Sequence, residues 1–160
     1  MGEKRLILIL VLTCVITLAG PSRLFAQGTA PSTYLEAAAQ VINENDRIDA
    51  ELSDIAKNGN VTIRPIHVVE RLKKANMDAY ANWPNLFNKE VPDKYADLYF
   101  HLKKLVKLQM KKTCNLYDAA YYSWMDNRDK AMPFREALQR IKEDYGKEKK
   151  LVEKIYQDMK

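Results

Sequence analysis

The chain has 160 residues and a formal charge of +5, from 26 Lys and Arg against 21 Asp and Glu. The length suits one domain with a substantial core. With 2 cysteines, 2 histidines and 5 glycines, the composition excludes a disulfide framework and offers little for a zinc site or a glycine-rich phosphate loop.

The first element is a leader. Met1-Gly-Glu-Lys-Arg5 is a short charged start, and Leu6–Ala19 is an apolar run of 14 residues. Spanning a bilayer as a helix takes about 20. Gly20-Pro21 ends the run, and Leu24-Phe25-Ala26 offers a small-residue exit, so residues 1–26 read as a secretory signal peptide cleaved before Gln27. Retention as an N-terminal anchor is the alternative. A lipid on Cys14 is disfavoured, because Thr13 precedes it and the apolar VITLA follows. The leader holds three cations against one anion, so removing it lowers the charge to +3 and weakens the case for nucleic-acid binding. It also removes Cys14, leaving Cys114 without an intramolecular partner, open to an intermolecular disulfide or to a role as a reactive thiol. The simpler reading of Cys114 is a small apolar side chain.

Residues 27–32 form a polar lead-in to a single helical domain, 33–160. Thr33-Tyr-Leu-Glu36 predicts a capping box. The stripe Ala38, Val41, Ile48, Leu52, Ile55 then predicts helix one over 33–58, stopped by Gly59. Pro65 opens helix two, 65–83, with Ile66, Val69, Leu72, Met77, Tyr80 and Trp83 inward. Helix three starts near Pro92-Asp93 and runs to about 126. Helix four starts between Asp129 and Pro133 and runs almost to the end. Gly146 weakens its middle.

Facing residues of an antiparallel hairpin have numbers with a constant sum. For helices one and two, 38 with 83, 41 with 80, 45 with 76, 52 with 69 and 55 with 66 all add to 121. For helices three and four, 106 with 152, 117 with 141, 120 with 138 and 124 with 134 add to 258. The expected fold is all-α, an antiparallel four-helix bundle built from two helical hairpins. The polar exception is Asn45 opposite Asn76, expected to be a structural layer in which the two amides bond each other and fix register.

Catalysis needs a convergent polar set, and none is evident. His67 and His101 fall near opposite ends of the bundle. Asp93, Asp97 and His101 recur every four residues on one helix, and His67 and Glu70 are three apart. Successive four-residue steps rise about 6 Å, so one helix does not gather three ligands. Asp97 and His101 are therefore weak metal candidates, and the expected assignment is no metal and no cofactor. A haem held by Met77 and His101 is the remaining carrier possibility, with core filling as the simpler role for Met77. Lys103, Lys104, Lys107, Lys111 and Lys112 fall mostly on the outer face of helix three, facing an acidic helix one. They suit a solvated face or a site for anionic lipid or polyanion, and no interleaved aromatics point to single-stranded nucleic acid.

At 1.5 Å per residue helix two is about 29 Å long and helix three about 51 Å, so the tip of the second hairpin is expected to project. The tip reads YYSWMDNRDKAMPF, Tyr121 to Phe134. Trp124 and Phe134 are expected to face each other there, leaving Tyr121, Tyr122 and Met125 as candidate partner contacts. The sequence thus reads as an exported, non-catalytic binding or scaffolding module with a protein partner and no contact with nucleic acid. It meets a membrane only through the uncleaved leader. The alternatives are a metal or haem carrier and an anionic-lipid or polyanion binder.

Overall fold

The computed structural model describes residues 33–57, 63–81, 83 and 90–160, apart from the side chains of 56, 57 and 63–65. The leader, the polar lead-in and Gly59 lie outside the described residues. Within them the protein is an all-α four-helix bundle: α1 Tyr34–Lys57, α2 Ile63–Ala81, α3 Ala96–Trp124 and α4 Arg128–Asp158, with a 3-10 turn Asp93–Tyr95 leading into α3. No described helix is long and apolar enough to cross a membrane.

Local chemistry explains the ends. At the start of α1, Thr33 N donates to Glu36 Oε2 at 3.1 Å and Glu36 N to Thr33 Oγ1 at 3.2 Å, a complete capping box. α3 ends in a Schellman-type turn. Asp126 takes a left-handed φ of 51°, its N–H donates to Ser123 O, and Asn127 N–H donates to Tyr122 O at 2.8 Å. Aspartate tolerates that conformation better than most residues. Asn127 then caps α4, its side chain accepting from Lys130 N. α4 therefore begins before Pro133, which lies inside the helix and removes one backbone donor there.

α3 is the centre of the bundle and packs against the other three helices, most extensively against α4 and then α2. Its residues Leu98, Leu102 and Leu105 are at most 1% exposed, each contributing about 1.5–3 kcal/mol by burial. Antiparallel α3–α4 contacts run from His101 with Glu148 to Ser123 with Arg135. α1 runs parallel to α3, with Tyr34 stacked on Tyr95 at 4.5 Å and Asn45 bonded by Gln109. The antiparallel match of α1 and α2 appears in the shared clusters: Ala38 and Val41 with Trp83, and Ile48 and Leu52 with Leu72.

Two expectations change. Met77 is 50% exposed, because the inward position of that turn belongs to Asn76. The hairpin tip does not project by whole turns. Lys73 lies over the ring of Tyr117 at 4.7 Å, and at equal rise per residue Ile66 comes level with Trp124. The length mismatch is taken up at the other end, where Trp83 meets Tyr99.

Replacing Thr33 by Ala removes half of the capping box. Urea titration should show a loss of about 1 kcal/mol in stability; an unchanged midpoint would mean that the box contributes nothing.

Candidate functional site: the end of the second hairpin

The last turn of α3 and the first of α4 are held together by a single ring pair. Tyr122 stacks on Phe134 with centroids 5.7 Å apart and planes 12° apart. Arg135 adds a 2.8 Å bond to Ser123 Oγ. The expected Trp124–Phe134 pairing is therefore replaced by Tyr122–Phe134. The hairpin keeps the expected register, since Ser123 and Arg135 also add to 258, but the ring that meets Phe134 is that of Tyr122. Tyr122 is half-buried, and Trp124 is half exposed.

What remains on the surface is Tyr121 at 36% exposure, Trp124 at 49%, and Met125 and Met132 at 55% each. The rings of Tyr117, Tyr121 and Trp124 follow one another at 6.2 and 6.3 Å. Asp126, Arg128, Asp129 and Lys130 surround them with charge of both signs. Of the three contact residues expected from the sequence, Tyr121 and Met125 share this surface and Tyr122 serves the hairpin itself. Trp124 and Met132 are the residues that sequence reasoning missed.

The interior is not a uniform apolar seam. Asn45 and Asn76 are 4% and 2% exposed, but they do not bond each other. Asn76 Nδ2 donates to Thr113 Oγ1 at 2.9 Å, and Asn45 Nδ2 donates to Val41 O of its own helix at 2.8 Å. Gln109 Nε2 reaches Asn45 O at 3.3 Å. The layer thus includes Gln109 and Thr113 from α3, both 0% exposed. Asn45 Oδ1 and Gln109 Oε1 are buried and make no hydrogen bond.

The metal candidates belong to an ion-pair network. His101 Nδ1 lies 2.5 Å from Glu148 Oε1 and Nε2 lies 3.4 Å from Asp97 Oδ1, while Lys104 Nζ is 2.5 Å from Glu148 Oε2. An ammonium occupies the carboxylate a metal would need. Among the described residues no group of three His, Cys, Asp or Glu is placed to hold a metal ion. His67 and Glu70 form an exposed pair at 3.8 Å. Met77, on the surface of α2, lies in a shallow depression with His67 and Tyr117, away from the His101 network.

The lysines of α3 do not form one face. Lys103 lies over Tyr99, Lys104 pairs with Glu148, and Lys107 and Lys111 are exposed. Lys112, expected with the outer set, is buried and pairs with Asp49 of α1. It falls inward because the α3 stripe continues through Gln109 and Thr113, and 112 lies beside 113 on that face. Cys114 is half-buried, and burial pushes its thiol up, away from reactivity, against a smaller opposing effect of Lys73.

No protein family, curated protein or solved structure matches this chain.

Glu148 gives a pH signature. Burial alone raises its pKa, but hydrogen bonds from Lys104 and His101 outweigh this and hold the carboxyl below its ordinary 4.5. The folded-state pKa is depressed, so the stabilisation is complete above pH 4.5 and is lost as pH falls through the folded value. Stability of Glu148→Gln should fall less steeply with acidification below pH 4.5 than that of the parent, measured by urea midpoints at stepped pH. Equal slopes would contradict the assignment.

Proposed function

We propose that the protein is exported and acts as a non-catalytic binding module, engaging a protein partner through the end of the α3–α4 hairpin. The observation that carries this reading is the outward Trp124, set beside Tyr121 and Met125 on a backbone pinned by the Tyr122–Phe134 stack. Trp and Tyr dominate binding hot spots, and an apolar centre with a charged rim is the usual anatomy of an interface. The rim sets Asp126 and Asp129 against Arg128 and Lys130, so it carries no surplus of cations to favour an anionic membrane. Export rests on the layout of Met1–Ala26.

A non-catalytic role is supported by the state of the titratable interior. His101 and Glu148 are engaged with each other and Lys104, and the Cys114 thiol is held protonated.

A photoreactive residue at position 125 should crosslink to a partner in the native compartment. The Tyr121→Ser, Trp124→Ser, Met125→Ser triple variant should block capture by a wild-type competitor no longer, with unchanged helicity. Phe100→Ser, at a residue 61% exposed on the same helix, should compete as the parent does. A triple variant that competes fully would sink the contact surface. Sequencing of the exported protein should begin at Gln27; a chain starting at Met1 would contradict processing.

A further inference from the structure

We draw no further inference here: the strongest candidate, the outer face of α3 and α4 where Phe100 and Leu151 are 61% and 39% exposed one turn from the Lys104–Glu148 ion pair, carries none, because charges of both signs surround it and nothing in the structure shows what covers it.

Discussion

The constraint on which the bundle depends is a polar layer through its middle, centred on α3. Val41, Leu105 and Val106 belong to one apolar cluster, and Ile48, Leu52 and Leu72 to the other. Between them stand Asn45, Gln109, Asn76 and Thr113, all buried. Sliding α1, α2 or α3 by one turn would place an amide against hydrocarbon, costing about 1–3 kcal/mol per stranded group. Hydrocarbon alone tolerates such slippage far better. The layer is also costly in place, since Asn45 Oδ1 and Gln109 Oε1 lack hydrogen bonds. Specific register at some expense in stability is the best-attested use of such groups in packed helices.

This arrangement decides where binding chemistry can sit. The histidine with a buried partner is tied into Glu148 and Lys104, and the polar layer is closed around its own donors. What is left over lies at two surfaces. One is the ring cluster at the end of the second hairpin, where Tyr122 supports the turn and Trp124 is released. The other is the cleft beside Lys112, lined by residues of α1, α3 and α4.

Much of the fold was legible in the sequence, because its signals are local. Thr33 and Glu36 form the capping box their spacing announces, and Ala38 with Trp83 and Val41 with Tyr80 share one cluster, in line with the constant sum. The polar interior was only half legible. The α3 stripe Leu98, Leu102, Leu105 continues at the same spacing into Gln109 and then Lys112 and Thr113, but a search for apolar residues passes over them. Asn76 displaced Met77 from the inward position for the same reason. At the hairpin end the register was legible, since Ser123 and Arg135 pair at the expected sum, but which ring meets Phe134 was not: Tyr122 does so and Trp124 stays half exposed. Function was the least legible, since which side chains of the hairpin end stay exposed is settled only when α3 and α4 pack.

The most direct test of the polar layer is a double-mutant cycle on Asn76 and Thr113, followed by urea unfolding. Asn76→Leu and Thr113→Val should each destabilise, the second by stranding Asn76 Nδ2 and the first by removing a donor from Thr113 Oγ1, and the double variant should recover part of the loss, with a coupling of about 1 kcal/mol or more. Strictly additive effects would show that the two side chains do not act on one another, and the layer would lose its role in setting register.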